Sequence, residues 1–269
     1  MNLTRRETLT LAAAATVVAA AGLPSLAFAK DGDTVDQLKL MATAIPDKVD
    51  GNAAAKVTFI EYASPTCPHC AEFSNTVIEP FKQKYVATGK VKFILRPFAR
   101  NTMDAAIFML AEAAAKSVNG QGSTASSAPA DASSSAPAAS SDASSASSMA
   151  AASSAAAPAD PNNPSGYSPA AIAAYENVIA TYFKTQDTWG VSDKPLDAVK
   201  AVAVQLGFSD DSFTAALKDQ DLFNAIEKMR DQAVNDFGLE GTPTFYLNGL
   251  QMTGEKTLDQ LSAAIDPLL

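Results

Sequence analysis

Cysteine and histidine are the scarcest reactive residues of this sequence. Its 269 residues include two cysteines and one histidine, and all three lie in the run Cys67-Pro68-His69-Cys70. A structural zinc site needs four ligands, usually Cys or His, so we predict no metal site. Most multi-histidine metal enzymes and Ser/His hydrolases are excluded for the same reason. A c-type haem would need a His directly after Cys70, where Ala71 stands, so thiol chemistry remains.

Positive charge is also scarce. The chain has 20 Lys and Arg against 29 Asp and Glu, which gives a formal net charge of −9. Such a chain has no overall field that attracts phosphate backbones, so nucleic acid is not an expected partner. Its hydrophobic content of 47% is sufficient for one or two packed domains.

The first 29 residues have the pattern of an export signal. Arg5 and Arg6 precede an apolar run over 9–21, and Ala27-Phe28-Ala29 fits a cleavage site. The two arginines indicate the twin-arginine route, and the general secretory route is the alternative. An uncleaved membrane anchor is a second alternative, since the stretch from Leu9 to Ala29 is long enough to span a membrane. We expect cleavage after Ala29 and a mature, non-spanning protein in the periplasm, where a disulfide can persist.

Strand and helix patterns alternate in the mature chain, which predicts an α/β fold. The leader over 30–52 has no clear pattern, whereas 56–62 and 91–98 are predicted strands. Between them a helix is predicted from Cys67 to Gly89, because Phe73, Val77, Phe81 and Tyr85 repeat on one face. Strand, helix and strand at this spacing form a βαβ unit with parallel strands. We assign 53–100 to the first part of this domain.

A helical insertion is predicted over 101–237, with helices at 102–115, 169–184, 195–206, 211–218 and 222–237. Within it, 117–166 consists almost entirely of Ser, Ala, Pro, Gly, Asn and Asp. This composition cannot bury enough apolar surface to offset its ordering entropy, so a disordered loop is predicted. The domain resumes over 238–269 with a hairpin at Asn248-Gly249 and a capping box that opens a helix at Thr257.

The Cys-x-x-Cys motif is predicted at a junction between strand and helix. Unpaired N–H groups and the dipole at a helix N-terminus favour negative charge, so we expect an exposed Cys67 with a lowered pKa and a shielded Cys70. His69, when protonated, would stabilise the Cys67 thiolate by charge and hydrogen bonding, while Pro68 restricts the turn. A structural disulfide is the alternative for the cysteines, and a solvated turn residue is the alternative for His69.

Three segments together resemble the DsbA-like branch of the thioredoxin superfamily. They are Phe59-Ile60-Glu61-Tyr62, the motif Cys67-Pro68-His69-Cys70, and the run from Gly241-Thr242-Pro243-Thr244 to Asn248-Gly249. The resemblance implies a thioredoxin fold, with a central mixed sheet and an inserted helical domain. The sequence departs from this branch in its Ser/Ala-rich segment and at Pro65-Thr66, where an aromatic residue is usual.

The resemblance also implies roles for three residues. Pro243 would be cis and lie beside the cysteines, which leaves the Thr242 backbone free to pair with a substrate peptide. Glu61, six positions before Cys67, would be buried with a raised pKa and would carry a proton. From the residues alone, Thr242-Pro243 is equally an ordinary turn, and Glu61 a solvated strand end.

These observations predict a periplasmic thiol:disulfide oxidase that donates its Cys67-Cys70 disulfide to reduced exported proteins. No bound cofactor is needed, and the resemblance implies reoxidation by a quinone-linked membrane partner. An isomerase or reductase of the same fold is the nearest alternative. A Cu(I)-binding module that uses the two soft thiolates is a further one.

Overall fold

The computed structural model describes residues 31–125 and 166–269. The predicted signal peptide over 1–29 and positions 126–165 of the Ser/Ala-rich segment lie outside the described residues. Among those described, no helix is both long and apolar enough to cross a membrane.

A mixed five-stranded sheet lies at the centre of the fold. The strands are β1 (Val49–Asp50), β2 (Val57–Ala63), β3 (Val91–Pro97), β4 (Thr244–Leu247) and β5 (Leu250–Thr253). Their order is β1-β3-β2-β4-β5, with β2 and β3 parallel and the other neighbours antiparallel. The predicted βαβ unit and mixed sheet are therefore confirmed.

The leader belongs to this sheet domain, which its sequence did not indicate. It contributes the short helix α1 (Gln37–Met41) and strand β1, which pairs with β3. Asp47 accepts hydrogen bonds from both Nε and Nη2 of the buried Arg96, at 2.8 and 2.6 Å. Arg96 Nη1 also donates to the hydroxyl of Tyr62 at 2.9 Å. This buried ion pair ties the leader to β2 and β3.

The helix that follows β2 is divided, where the sequence predicted a continuous one. It forms α2 (Pro68–Thr76), α3 (Ile78–Phe81) and a π-helical turn over Lys82–Val86. The cause is local, because Pro80 has no N–H to donate to the Thr76 carbonyl. Phe73, Phe81 and Tyr85 still share one apolar core with the sheet.

The predicted helical insertion consists of six helices within the described residues. They are α4 (Thr102–Ala125), α5 (Pro169–Lys184), α6 (Gln186–Trp189), α7 (Pro195–Gln205), α8 (Asp210–Leu217) and α9 (Gln220–Asn235). Five of them match the predicted elements, and the short α6 was not predicted. The prediction of disorder from Ser117 is wrong as far as Ala125. Val118 still packs on the helical core, and the Asn119 side chain bonds to Gly166 and Ser168, which extends α4.

The C-terminal hairpin closes the sheet as predicted. Asn248 and Gly249 both have positive φ, 50° and 90°, as a two-residue type I′ turn requires. Asn248 Oδ1 accepts a hydrogen bond from the Thr58 backbone N–H at 2.8 Å, which fixes the turn to β2. The capping box of Thr257 and Gln260 opens α10 (Leu258–Ile265). A 3₁₀ turn over Asp266–Leu268 follows it.

Candidate active site

The Cys-x-x-Cys motif lies where β2 passes into α2. Cys67 occupies the N-cap position with extended backbone angles, φ −89° and ψ 119°, and Pro68 is the first helical residue. Pro at this position is favourable, because its missing N–H would have no helical partner. The Cys67 sulfur thus lies at the helix end where backbone N–H groups are unpaired, as the sequence predicted.

Cys67 faces the loop before β4. Its Sγ lies 3.2 Å from the carbonyl oxygen of Thr242 and donates a hydrogen bond to it. The Thr242-Pro243 peptide bond is cis, which confirms the prediction for Pro243. A cavity of about 310 Å³ beside this loop is lined by Gly241, Thr242, Pro243 and Thr244, among others. Both residues predicted to bind substrate therefore lie next to the reactive sulfur.

The prediction that Cys67 is exposed is wrong. Its residue is only 2% exposed. The sulfur lies against Thr242, and the side chain packs with the core of the helical insertion. These covering groups are distant in sequence, so helix position alone could not predict them. The thiol is reactive through its charge state and not through wide exposure.

The two thiols have opposite proton affinities. A hydrogen bond from the Cys70 thiol is the main cause that lowers the pKa of Cys67 to about 5. Hydrogen bonding to the Thr242 side chain and to the backbone N–H groups of Cys70 and His69 lowers it further, while burial opposes them. Burial raises the pKa of Cys70 well above its usual value, and Cys67 and the charge of Glu61 act in the same direction. The lowered pKa of Cys67 and the shielding of Cys70, both predicted, are confirmed.

The ring of His69 is bonded to a residue that the sequence did not indicate. Its Nδ1 shares a short hydrogen bond with Oε1 of Glu255, in the loop between β5 and α10, and both side chains are well exposed. This hydrogen bond is the main cause that raises the pKa of His69, and the negative charges of Glu255 and Cys67 act with it. The predicted attraction between imidazolium and thiolate remains, but the ring's hydrogen bond goes to Glu255.

Glu61 is buried in β2, as the resemblance implied. Its residue is 3% exposed, and burial raises the pKa of its carboxyl to about 8 although the charge of Lys82 opposes this. The negative charge of Cys67 contributes to the rise, while that of Glu61 raises the pKa of Cys70. Glu61 therefore interacts electrostatically with both thiols.

Two polar residues that sequence reasoning missed hold the loop before Cys67. The fully buried Asp104 accepts hydrogen bonds from Ser64 Oγ and the Thr66 N–H, both at 2.7 Å. Gln186 Nε2 donates to the carbonyl oxygens of Pro65 and Cys67, at 2.7 and 3.1 Å. Both residues come from the helical insertion, so this insertion shapes the loop at Pro65-Thr66. The only signal for Asp104 in the sequence was its position in the first turn of the predicted helix, and Gln186 had none.

The described residues offer no candidate metal site. Within 31–125 and 166–269, no group of three or more His, Cys, Asp or Glu side chains is placed to hold a metal ion. The two cysteines are free thiols. The arrangement suits thiol and disulfide exchange, because the thiol at the start of α2 has a lowered pKa and the thiol one turn further in has a raised one.

Comparison with known proteins places the chain in a thioredoxin family. A family model described as Thioredoxin matches residues 43–163 and 165–267, so the chain belongs to this thioredoxin family. Curated relatives from Rickettsia bellii and Rickettsia felis are each 24% identical over 82% and 83% of the chain. Their names assign them provisionally to the protein-disulfide oxidoreductases. The chain spans about three-fifths of the length of these relatives, 63% and 60%.

Solved structures confirm the fold that the resemblance implied. Alpha-DsbA1 from Wolbachia pipientis matches with a TM-score of 0.60 and 21% identity, over 86% of this chain and 94% of that one. BdbD from Bacillus subtilis matches with a TM-score of 0.54 and 14% identity, over 89% and 98%. The thioredoxin fold with an inserted helical domain is thus shared with DsbA-type proteins.

Proposed function

We propose that this protein is a thiol:disulfide oxidase that donates the Cys67-Cys70 disulfide to other proteins. The observation that carries the proposal is the contrast between the two thiols, with the pKa of Cys67 lowered to about 5 and that of Cys70 raised. A stable Cys67 thiolate is a good leaving group and favours the reduced form of the protein, so the disulfide form is an oxidant.

The exchange proceeds in two steps. A substrate thiolate attacks Sγ of Cys67, the substrate-Cys67 bond forms, and the Cys67-Cys70 bond breaks. Cys70 leaves with the electron pair and takes a proton, for which Glu61 is the donor. A second substrate thiolate then attacks the substrate sulfur of the mixed disulfide and releases the Cys67 thiolate. The substrate loses two electrons and the protein gains them.

The cis loop positions the substrate. Thr242, which contacts the Cys67 sulfur through its carbonyl oxygen, lines a cavity together with Pro243. An extended peptide that pairs with the Thr242 backbone would bring its thiolate to the sulfur. We propose that the substrates are reduced exported proteins and that a quinone-linked membrane protein reoxidises the pair. No bound cofactor takes part in either step.

The reduction potential of the couple decides between an oxidase and a reductase. Equilibration with glutathione is expected to give an oxidising potential, well above that of thioredoxin, and the oxidised protein should refold a reduced client that has several disulfides. Cys70→Ser should accumulate a mixed disulfide at Cys67, and Cys67→Ser should form none. A strongly reducing couple would overturn the proposal in favour of a reductase or isomerase.

We further propose that the protein works in the periplasm after cleavage behind Ala29. The signal pattern over 1–29 supports this proposal, with the twin-arginine route favoured by Arg5 and Arg6. N-terminal sequencing of the protein from a periplasmic fraction should begin at Lys30. Replacement of both arginines by lysine should retain the precursor inside the cell. Normal export of that variant would point to the general secretory route.

A further inference from the structure

Two carboxylates, one buried and one partly buried, line one cavity between the sheet and the helical insertion. Glu61 on β2 and Glu176 on α5 both contact this cavity, whose volume is about 270 Å³. In the part of the chain that the structure describes, each has a buried oxygen, Oε1, without a hydrogen-bond partner. Leaving such oxygens unpaired is costly. The cavity has room for several water molecules, which would supply the missing hydrogen bonds.

Lys82 fixes the orientation of Glu176. Its Nζ donates to Oε2 of Glu176 at 2.5 Å and lies 2.8 Å from Oδ2 of Asp50. One oxygen of Glu176 is therefore occupied by the ion pair, while the other is the unpartnered Oε1. Burial raises the pKa of Glu176 above its usual value, although the charge of Lys82 opposes this. Like Glu61, this carboxyl is thereby brought closer to the pH range in which it can exchange a proton.

The cavity reaches from the buried Glu61 to exposed residues. Glu61, which lines the cavity, interacts electrostatically with the Cys70 thiol. Glu79 and Asn177 also line the cavity, and both are exposed. Water in the cavity would therefore have the protonatable Glu61 on one side and solvent on the other. Glu176 lies along this path on α5, a helix of the insertion domain.

We propose that Glu176 is a positioning residue for proton transfer, which with Lys82 orders water in the cavity so that Glu61 exchanges protons with solvent. The inference rests on the proposed function. When Cys70 leaves as a thiolate, Glu61 gives it a proton and regains one from this water, and Glu176 accepts or donates hydrogen bonds as the proton passes. When the pair is reoxidised, the Cys70 proton leaves by the reverse path.

The charged and titratable groups that bear on this path come from six elements. They are Asp50 on β1, Glu61 on β2, Cys67 and Cys70 at α2, Glu79 on α3 with Lys82 in the turn after it, and Glu176 on α5. If the role of Glu176 is merely structural, its ion pair with Lys82, which also pairs with Asp50 on β1, holds α5 against the sheet. Such a clamp affects stability, whereas proton transfer affects rate and its dependence on pH.

The first test replaces Glu176 by glutamine, which keeps the size of the side chain and removes its titratable carboxyl group. Single-turnover oxidation of a dithiol peptide by the oxidised protein is measured from pH 5 to 9 in H₂O and D₂O. We expect a rate lower by roughly tenfold, with a changed pH profile and a larger solvent isotope effect. The Cys67 thiolate titration, followed at 240 nm, should be unchanged. Glu176→Asp should recover part of the rate. Glu227→Gln, on α9 outside the cavity lining, where the carboxylate pairs with Arg230, should keep the wild-type rate and pH profile.

The second test changes no charge. Ala180 is exposed and lines the cavity, so Ala180→Leu should displace water from it and slow the peptide oxidation in the same way. Ala201→Leu, at an exposed position of α7, is the matched control. If Glu176→Gln does not fold, Ala180→Leu alone tests whether the cavity carries the proton.

Two results would overturn the inference. Wild-type rates and pH profiles in both variants would show that the cavity carries no proton. Slower rates that only follow a loss of stability, with the pH profile and isotope effect unchanged, would show that Glu176 is a clamp. In both cases a wild-type protein that still oxidises the peptide leaves the proposed oxidase intact, whereas an inactive wild type would overturn the proposed function as well.

Discussion

The side chain of Gln186 donates a hydrogen bond from Nε2 to the backbone carbonyl oxygen of Cys67, at 3.1 Å. The same nitrogen donates to the carbonyl of Pro65 at 2.7 Å. These two residues flank the turn that leads into the motif, and Gln186 belongs to α6 of the helical insertion. The insertion therefore holds the backbone of the reactive cysteine directly, and does not merely cover it.

Replacing Gln186 by alanine is expected to weaken this connection. The carbonyl of the buried Pro65 would lose its donor, and an unsatisfied buried acceptor costs about 1–3 kcal/mol. Urea unfolding should show a loss of stability of about this size, together with slower peptide oxidation because the Cys67 loop is less well held. Gln83→Ala, which removes a surface bond to Glu79, is the control. Equal stability of the two variants would contradict the prediction.

Glu61 and Cys67 should give opposite dependences of stability on pH in the reduced protein. The pKa of Glu61 is raised from 4.5 to about 8, so between these values the folded state holds a proton that the unfolded chain has lost. The free energy of unfolding therefore falls as pH rises through this window. The pKa of Cys67 is lowered from 9.0 to about 5, so its contribution rises from pH 5 towards pH 9. In the wild type the two largely cancel.

Glu61→Gln should reveal the contribution of Cys67 alone. We expect the free energy of unfolding of the reduced variant to rise by about 3–4 kcal/mol between pH 5 and pH 8, whereas the wild-type curve stays nearly flat. Urea unfolding at several pH values under reducing conditions measures both. The exposed substitution Glu72→Gln should leave the wild-type curve unchanged. Parallel curves for Glu61→Gln and the wild type would show that burial does not perturb this carboxyl.

Glu255 should control the protonation of His69. Because the hydrogen bond to Glu255 is the main cause of the raised pKa of His69, Glu255→Gln should lower that pKa towards its usual value. The chain has a single histidine, so an NMR titration of the ring reports it without ambiguity. A small rise in the pKa of Cys67 should follow, since less imidazolium would face its thiolate. Glu240→Gln is the control, and an identical His69 titration in both variants would contradict the pairing.

The leader should be required for stability. Asp47→Asn removes the carboxylate that pairs with the buried Arg96, and breaking a buried ion pair from one side costs about 3–5 kcal/mol. Chemical denaturation should show this loss, while the exposed control Asp187→Asn should change stability by less than about 0.5 kcal/mol. A loss no larger than that of the control would mean that the leader contributes little to the fold.

Local patterns predicted most of the architecture. The β-branched run of β2, the apolar repeat of α5 and the Asn248-Gly249 turn each depend on neighbours within a few residues, so their sequence signals are direct. The division at Pro80 was also locally encoded, and it was missed because the apolar repeat from Phe73 to Tyr85 continues through it. The short β1 and α6 gave too few residues for a periodic signal.

The sequence by itself determined the chemistry of the motif, because the position of Cys67 at a helix start and of Cys70 one turn further in follows from their spacing. It could not determine what covers Cys67, where the ring of His69 bonds, or that Glu176 shares a cavity with Glu61. The partners that decide these features are far away along the chain, as with Gln186, 119 positions from Cys67. Only the folded chain brings them together, and burial then sets their proton affinities.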